Sequence, residues 1–472
     1  MHPNATLQAI AQALTAGSIS SVELVGAYIA RIERLDPTLG AFRECYFDAA
    51  MTAAKQADQA RLKGHPAASG ALQGIPFAVK DLFDVTGKPT TAGTSALNNN
   101  IATQDAAAVQ RLQAAGMILL GKTHTVQFAY SGVGINSDQG TPHNPWAQAQ
   151  HVPGGSSSGS GVAISAGLAP LTLGTDTGGS VRIPAALTGI TGLKTTVGQV
   201  SRAGVYPLSW SLDSVGPLTN SATDAAEVMQ VLQGFDPADP STKAFTAQDF
   251  SQIERGASGL RIAIANGVFF DGVEPAIEAA VRAAAKTFTE LGATVAEIDF
   301  PLAARALDLN PQGLIIAAEA YAVNRELVDN RLDELDPLVA PRVLAGKDIS
   351  AADYAHLQNE WQHLRMAAIT ALQAIDVLLV PTTPMSAQPV AQITASNDSY
   401  NQHNLGYLRN TAIGNILNLC GLSVPCGVNP AGLPMGLMIY AKPFCEAQAL
   451  QAACALQQAT DWHRQLPDLS WV

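Results

Sequence analysis

Two glycine- and serine-rich segments, separated by a short apolar stretch, constrain this chain more than any other feature of its sequence. Residues 154–161 read Gly-Gly-Ser-Ser-Ser-Gly-Ser-Gly, and residues 175–184 read Thr-Asp-Thr-Gly-Gly-Ser-Val-Arg-Ile-Pro. Glycine lets backbone N–H groups converge on a small anion because no Cβ blocks the approach. The stretch between the two segments has the pattern of a helix followed by a strand. The sequence therefore predicts two tight turns, each of which delivers serines.

A lysine ends an apolar strand pattern upstream of these turns. Residues 74–81 read Gly-Ile-Pro-Phe-Ala-Val-Lys-Asp, so Lys80 directly follows the run Ile75–Val79. An apolar setting lowers the affinity of a lysine for its proton, and a lysine base must lose that proton to act. A serine hydroxyl can attack a carbonyl carbon or relay a proton. The two serine-bearing turns and this lysine together indicate acyl-transfer chemistry.

Ser180 lies where a glycine pair passes into a helix predicted near Val181–Leu187. A nucleophile at such a turn has several free backbone N–H groups nearby. The amides of Thr177, Gly178, Gly179 and Ser180 are candidates for holding the oxyanion of a tetrahedral intermediate. One donor of this kind typically lowers the barrier by about 2.7–4 kcal/mol.

Composition and charge exclude several classes of protein. The 472 residues are 47% hydrophobic and 14% charged, which is ample apolar side chain for a large core. The net charge of −12 comes without any Lys/Arg-rich run and argues against a nucleic-acid-coating surface. No apolar stretch is long enough to span a bilayer. Residues 1–6 lack the basic start and apolar core of a signal peptide, so we expect a cytoplasmic protein with no membrane partner.

The spacing of cysteines and histidines indicates neither a metal site nor a disulfide framework. The five cysteines include no Cys-x-x-Cys pair, and the nine histidines show neither His-Glu-x-x-His nor His-x-Glu spacing. We therefore expect buried reduced thiols, no metal and no cofactor.

Short apolar runs alternate with helical patterns, which is typical of an α/β fold with a mainly central sheet. Near the start, Ser20 and Glu23 form a capping-box pattern, and Pro37 is predicted to follow the end of that helix. Residues from about 302 to 374 show little strand character and are predicted to be helical, either as a cap over a pocket or as an outer layer. The runs predicted to be strands are Ile75–Val79, Met117–Leu120, Leu171–Leu173, Leu260–Ile264, Thr294–Ile298, Val377–Val380, Ser423–Pro425 and Gly436–Tyr440.

In these residues the chain resembles the amidase signature family over nearly its whole length. The spacing from Ser156 to Ser180 and the position of Lys80 both match the family pattern. The resemblance implies Ser180 as nucleophile, Ser156 as a bridging serine in a cis peptide, and Lys80 as base. Ser157 takes a supporting role beside this relay. The motif core runs from about 74 to 219.

The resemblance also implies bracing residues, and the chain departs from the family at a few positions. Asp176 and Arg182 are expected to brace the nucleophile turn. Relatives usually carry glycine where Ser158 stands, which predicts strain there if the position has a positive φ. Many relatives carry Asn and Glu where His124 and Gln127 stand, so the substrate is not inherited with the fold.

The fold implied by the resemblance is one large domain over residues 1–472. A mixed, mainly central twisted sheet is covered by helices on both faces. The implied function is a cofactor-independent amidase that cleaves a small-molecule carboxamide, carbamate or urea-like bond through an acyl-enzyme. The alternative is the glutaminase (A) subunit of a tRNA-dependent amidotransferase, and a homodimer is left open. A non-catalytic binding protein is disfavoured because all three implied catalytic residues are present.

Two other residues are possible nucleophiles, and three aromatic residues are possible pocket residues. Residues 155–159 satisfy the Gly-x-Ser-x-Gly elbow with Ser157 as nucleophile, but no hydrophobic strand precedes them. Cys426 follows a strand and is a candidate nucleophile, although a buried structural thiol is the expected role. Tyr130, Tyr206 and Trp210 lie near the motifs and either line an acyl pocket or fill the core.

Overall fold

Helices and strands alternate along the computed structural model, which describes residues 4–63, 70–310 and 313–472. The strands are β1 (Phe42–Cys45), β2 (Pro76–Lys80), β3 (Ile118–Thr123), β4 (Leu171–Asp176), β5 (Thr191–Lys194), β6 (Ser214–Thr219), β7 (Arg261–Asn266), β8 (Thr294–Asp299), β9 (Val377–Pro381), β10 (Cys420–Val428) and β11 (Pro434–Ala441). The helices are α1 (Leu7–Thr15), α2 (Ser21–Leu39), α3 (Phe47–Leu62), α4 (Ala107–Ala114), α5 (Ser158–Ser165), α6 (Arg182–Thr188), α7 (Ala222–Leu232), α8 (Pro275–Glu290), α9 (Leu302–Leu309), α10 (Leu314–Asn330), α11 (Ala340–Leu344), α12 (Ala351–Ala371), α13 (Val390–Ile393), α14 (Asn397–Ile416) and α15 (Glu446–Ala459).

The strands given above form one 11-stranded sheet in the order β1-β3-β2-β4-β6-β5-β10-β11-β9-β7-β8. β2 runs parallel to β3 and β4, and β7 runs parallel to β8 and β9, whereas the other neighbours are antiparallel. Every residue of β2, β3, β4 and β9 is buried. Because successive side chains of a strand point to opposite faces, such burial requires cover on both faces. The mixed central sheet covered on both faces is confirmed.

The eight runs predicted as strands all lie in or overlap strands of the sheet, whereas β1, β5 and β6 were not predicted. The capping box of Ser20 and Glu23 is present at the start of α2. The prediction that Pro37 follows this helix is wrong, since Pro37 lies inside its last turn. A proline there removes only one backbone donor. The helix stops instead at Gly40, whose φ of 61° is left-handed and favours glycine.

The segment predicted to be helical is helical where it is described. Helices α9 to α12 lie between residues 302 and 371, and no strand occurs in the described part of that segment, which omits 311 and 312. Residues 1–3, which belong to the N-terminal segment considered for a signal peptide, also lie outside the described residues. All five cysteines are free.

Among the described helices, none has the length and apolarity needed to cross a bilayer.

Candidate active site

Lys80 is the last residue of β2, the third of the eleven strands in the sheet order, and is fully buried. Its Nζ donates to Ser156 Oγ at 2.7 Å and to Thr175 Oγ1 at 2.8 Å. Burial lowers the pKa of Lys80 to about 7, against the opposing charges of Asp213 and Asp176, which raise it. Because burial penalises the charged ammonium, a substantial fraction of Lys80 is neutral near pH 7. A neutral lysine in contact with a serine hydroxyl can accept its proton.

The first glycine-rich turn brings Ser156 to this lysine. The Gly155–Ser156 peptide bond is cis. The Ser156 carbonyl accepts hydrogen bonds from the Val126 N–H at 3.2 Å and from Thr125 Oγ1 at 3.1 Å. These contacts hold the Ser156 backbone from one side while its hydroxyl faces Lys80.

The two turns are hydrogen-bonded to each other through their backbones. The N–H of Ser157 donates to the carbonyl of Ser180 at 3.2 Å, so the residue after Ser156 is tied directly to Ser180. Ser156 is fully buried and Ser180 is 3% exposed. Ser158 begins α5 without a positive φ, so the strain considered for this position is absent. Lys80, Ser156 and the turn that carries Ser180 therefore occupy one place.

A buried ion pair holds the second turn, which runs from the end of β4 to the start of α6. The Asp176 carboxylate accepts from the backbone N–H groups of Gly179 at 2.9 Å and Val181 at 3.1 Å. It also accepts two hydrogen bonds from Arg182, each of 2.9 Å. Burial raises the pKa of this carboxyl, but the Arg182 charge and hydrogen bonds outweigh burial and hold it at about 2. The turn is thus folded around a permanent carboxylate.

Residues from the far end of the chain complete this brace. Arg182 donates to the Tyr440 hydroxyl at 2.8 Å and to Asn415 Oδ1 at 2.6 Å, while Asn415 Nδ2 donates to Asp176 at 2.9 Å. The sequence patterns do not predict a role for Asn415 or Tyr440 at this turn. More than two hundred residues separate them from Arg182, and neither stands in a pattern that points to the turn.

Three of the four residues whose backbone N–H groups are predicted to form an oxyanion hole line a cavity. Thr177, Gly178 and Ser180 line it. The prediction for the fourth, Gly179, is wrong, because its N–H donates to the Asp176 carboxylate. Gly179 has a φ of 139°, and a Cβ there would overlap Thr411 Oγ1. Gly179 therefore serves the shape of the turn, and the other three amides remain as candidate donors.

The cavity beside Ser180 has a volume of about 410 Å³ and a mainly apolar wall. Part of the lining is the nucleophile turn, and the rest includes residues of α9, α10, α11 and α14. α14 packs directly on the turn, since Thr411 Oγ1 donates to the Gly178 carbonyl at 2.6 Å. Its apolar lining residues are Ala129, Tyr130, Leu208, Leu307, Ile316, Leu405, Leu408, Ala412 and Ile416, and its polar side chains are Ser131, Thr177, Ser180, Asn310, Arg342 and Arg409. α12 contributes no lining residue, so only part of the predicted 302–374 segment caps the pocket.

The aromatic residues near the motifs divide between pocket and core. Tyr130 lines the cavity, and the Arg342 guanidinium lies 4.3 Å from the centre of its ring. Tyr206 stacks on Phe128 with ring centres 6.3 Å apart and donates to Asn324 at 2.9 Å. Trp210 is 47% exposed and lines a different cavity. Of these three aromatic residues, Tyr130 alone lines the cavity beside Ser180 and is placed to contact a substrate there.

The alternative nucleophiles lie in structural positions. Ser157 Oγ donates to the Thr175 carbonyl at 3.4 Å, and a Cβ on Gly174 would meet that hydroxyl at 2.7 Å, so it packs against β4. The elbow motif requires a strand directly before the nucleophile, and the described residues between β3 and Ser157 form none. Burial raises the pKa of the Cys426 thiol to about 12, which keeps it protonated.

His124 and Gln127, at which the resemblance leads us to expect a difference from the family, are not in the cavity lining. Burial lowers the pKa of His124 to about 4, so its imidazole is neutral. Gln127 is fully buried and accepts from the Asp336 N–H at 3.0 Å. Within residues 4–63, 70–310 and 313–472, no group of three or more His, Cys, Asp or Glu side chains is placed to hold a metal ion.

Comparison with known protein families gives one match over most of the chain. The family model described as Amidase matches residues 23–450. Among curated relatives, the glutamyl-tRNA(Gln) amidotransferase (A) subunit of Chloroflexus aggregans is 37% identical over 98% of this chain and 98% of its own. The 2-amino-5-chloromuconic acid deaminase of Comamonas testosteroni is 35% identical over 93% of this chain and 92% of its own.

Solved structures give the same picture. The structure of 6-aminohexanoate cyclic dimer hydrolase complexed with substrate superposes with a TM-score of 0.89 at 26% identity. It covers 99% of this chain and 100% of that chain. The likeness therefore extends over the whole fold.

Proposed function

The chain belongs to the amidase family and is an amide C–N hydrolase, and from this premise we propose that it cleaves a small-molecule amide through an acyl-enzyme on Ser180. The observation that carries the proposal is the 2.7 Å contact between Lys80 Nζ and Ser156 Oγ, next to the turn that bears Ser180. In this proposal Lys80 is the base, Ser156 is the relay and Ser180 is the nucleophile.

Acylation begins with proton transfer through the relay. Neutral Lys80 keeps one N–H on Thr175 and turns its lone pair to the Ser156 hydroxyl. Ser156 passes its proton to Lys80 and accepts the proton of Ser180, whose Oγ forms a bond to the carbonyl carbon. The amine leaves with a proton returned along the same path. Water then attacks the ester carbonyl, gives its proton to the relay, and releases the acid and Ser180.

The negative charge of the tetrahedral intermediate falls next to the turn. Backbone amides of Thr177, Gly178 and Ser180 are available to donate to it, and the Asp176–Arg182 pair holds the turn rigid before the reaction. Donors that are already oriented need no reorganisation as charge develops, which is why such a site lowers the barrier. Ser157 supports the relay by bonding its N–H to the Ser180 carbonyl.

The cavity favours an acyl group that is apolar and carries no ammonium. Its lining includes Arg342 and Arg409, and no Asp or Glu among the described residues. An ammonium group buried there would have no carboxylate to pair with, and unpaired buried charge is costly. A neutral or anionic amide, carbamate or urea-like substrate with an apolar body fits this lining.

The second candidate function is the glutaminase subunit of a tRNA-dependent amidotransferase. It is favoured by the likeness to the Chloroflexus aggregans amidotransferase (A) subunit over 98% of both chains. Glutamine, however, carries an α-ammonium group, and the described lining offers it no carboxylate. We therefore rank a self-sufficient amidase first.

The two functions differ in whether the chain works alone. We expect the purified chain to hydrolyse apolar aryl or alkyl amides without a partner, in a panel that also contains carbamates, ureas and glutamine. Turnover of glutamine alone, or turnover only after partner subunits are added, would favour the second candidate. An organophosphonate reagent should add its mass to Ser180, whereas labelling of Ser157 or Cys426 would refute the assignment.

A further inference from the structure

We call α9, α10, α11 and the adjoining part of α14 the cap. A buried glutamate on the cap is hydrogen-bonded to the loop that contacts the nucleophile turn. Glu319 lies on α10 and is fully buried. Its carboxylate accepts hydrogen bonds from the hydroxyls of Ser209 and Ser211, from the Ser211 N–H at 3.1 Å, and from the Tyr354 hydroxyl at 2.6 Å. Burying a carboxylate is costly unless donors compensate it, so a carboxylate bound by four donors fixes each of them in place.

Ser209 joins this glutamate to a second buried carboxylate. Its hydroxyl donates to Glu319, and its backbone N–H donates to Asp213 at 3.0 Å. Asp213 also accepts from the Leu208 N–H at 2.9 Å. The loop from 208 to 213 is therefore wrapped around one carboxylate of its own and attached to one carboxylate of the cap.

Asp213 in turn holds the turn that carries the candidate oxyanion donors. The Thr177 hydroxyl donates to Asp213 at 2.5 Å, and Thr177 lines the cavity. Burial lowers the pKa of Lys80, and Asp213 has the larger effect of the two negative charges that act against this fall. A displacement of the 208–213 loop would reach both the oxyanion donors and the base.

The other end of the connection is the cavity wall. Ile316 lines the cavity and lies one helical turn before Glu319 on α10. Residues three apart on a helix lie on the same side of it. The same side of α10 therefore contributes Ile316 to the cavity lining and Glu319 to the 208–213 loop.

We propose that Glu319 is a positioning residue, which holds the 208–213 loop so that Asp213 orients Thr177 and the nucleophile turn for reaction. This inference rests on the proposed function at Ser180, and it assigns to the cap a role in the chemical step as well as in covering the cavity. Glu319 is not among the residues that line the cavity.

The test compares Glu319→Ala and Glu319→Gln with a control on the same helix. Val328→Ala removes buried apolar contacts from α10 but no hydrogen bond to the loop. We expect Glu319→Ala to lower kcat about 10- to 100-fold, the range that misplacement of a reacting group produces. KM should change less than about threefold, and Glu319→Gln, which keeps the shape and one acceptor, should lie between Glu319→Ala and the wild type.

The pH profile separates positioning from loss of structure. If Asp213 moves away from Lys80 in Glu319→Ala, its negative charge no longer stabilises the ammonium form of Lys80, and the pKa of Lys80 falls. The rise of kcat/KM on the acidic side of the pH profile, its acidic limb, therefore moves to lower pH. Val328→Ala should leave that limb in place. The proposal is overturned if Glu319→Ala keeps the wild-type kcat and limb, or if both variants lose kcat only in proportion to the fraction of folded protein.

Two milder variants keep the test decisive if Glu319→Ala does not fold. Tyr354→Phe removes one donor from the glutamate, and Glu319→Gln removes its charge. Wild-type kcat and an unmoved limb in both would overturn the proposal. If the wild type hydrolyses no amide, the proposed function fails separately. The rate at which an organophosphonate labels Ser180 then replaces kcat, and an unchanged rate in Glu319→Gln overturns the role of Glu319.

Discussion

The nucleophile turn and the cap that faces it across the cavity are built in different ways. The turn lies at the ends of β2 and β4, and Lys80, Ser156 and Ser180 are each at most 3% exposed. The cap consists of α9, α10, α11 and the adjoining part of α14, where Leu405 is 50% exposed. The candidate catalytic residues are therefore buried at or beside the ends of β2 and β4, whereas much of the cavity lining comes from helices.

The two regions are also held by different forces. Around the turn, Asp176 alone accepts hydrogen bonds from two backbone amides, Arg182 and Asn415. Such bonds are directional and fix positions closely. The cap lines the cavity mainly with side chains such as Leu307, Ile316 and Leu408, whose packing is less directional. Substitutions in the turn should therefore abolish the reaction, and substitutions of the cavity-lining side chains of the cap should redirect it. Glu319 is the exception expected within the cap, because it is held by hydrogen bonds and does not line the cavity.

The largest expected effect comes from the nucleophile. Ser180→Ala should lower kcat/KM for the best amide about 10⁴-fold or more, because the variant lacks the hydroxyl proposed to form the acyl-enzyme. The matched control is Ser157→Ala, which removes a hydroxyl that packs against β4. The activity of this variant should stay within about tenfold of the wild type. Equal losses in the two variants would mean that the turn is only structural.

Loss of the base should have the next largest effect. Lys80→Met should lower kcat about 10²- to 10⁴-fold, the usual contribution of a positioned base. In the wild type, kcat/KM should rise with pH through a limb near 7, since Lys80 has a pKa of about 7 and accepts a proton only when neutral. Activity that falls as the pH rises through this range would contradict the role of Lys80.

A smaller effect is expected where a glycine shapes the turn. Gly179→Ala should lower kcat about 10²-fold, because the new Cβ would overlap Thr411 Oγ1 and displace the oxyanion donors. Gly432→Ala is the control, since it has a φ of +80° with nothing within 4 Å of an added Cβ. Gly432→Ala introduces a side chain at a positive φ without a new contact, so it measures the effect of backbone strain alone. A similar kcat for both variants would refute the idea that the overlap with Thr411 lowers the activity of Gly179→Ala.

The smallest effect should come from the apolar side chains with which the cap lines the cavity. Ile316→Ala should raise KM for amides with bulky acyl groups by at most about tenfold and leave kcat for a small amide unchanged. Ile101→Ala is the control, because that side chain is 51% exposed and is not in the cavity lining. If Ile316→Ala lowers kcat for every substrate alike, the division between chemistry and recognition is wrong.

Much of the candidate site could be predicted because its residues stand in contiguous patterns. The apolar run before Lys80 becomes β2, and the glycine-rich segments become the turns that carry Ser156 and Ser180. Local patterns reveal such features because strands and tight turns depend on nearby residues. The assignment of the Gly179 amide failed because its acceptor, Asp176, became known only from the folded turn.

Residues brought in from distant segments could not be predicted. Asn415, Tyr440 and Thr411 reach the nucleophile turn across more than two hundred residues of chain. Glu319 contacts a loop about one hundred residues away. Hydrogen bonds of this kind depend on the register of the sheet and on how the helices pack, and no spacing within one segment encodes them.

The sequence by itself determined the class of fold and predicted the candidate reacting groups, because lysine after an apolar strand and serine in glycine turns are local features with local physical causes. Only the tertiary structure decided the shape and charge of the cavity, the brace behind the turn and the connection between cap and loop. Each of these is formed by the meeting of remote segments, and packing over the whole sheet determines where those segments meet.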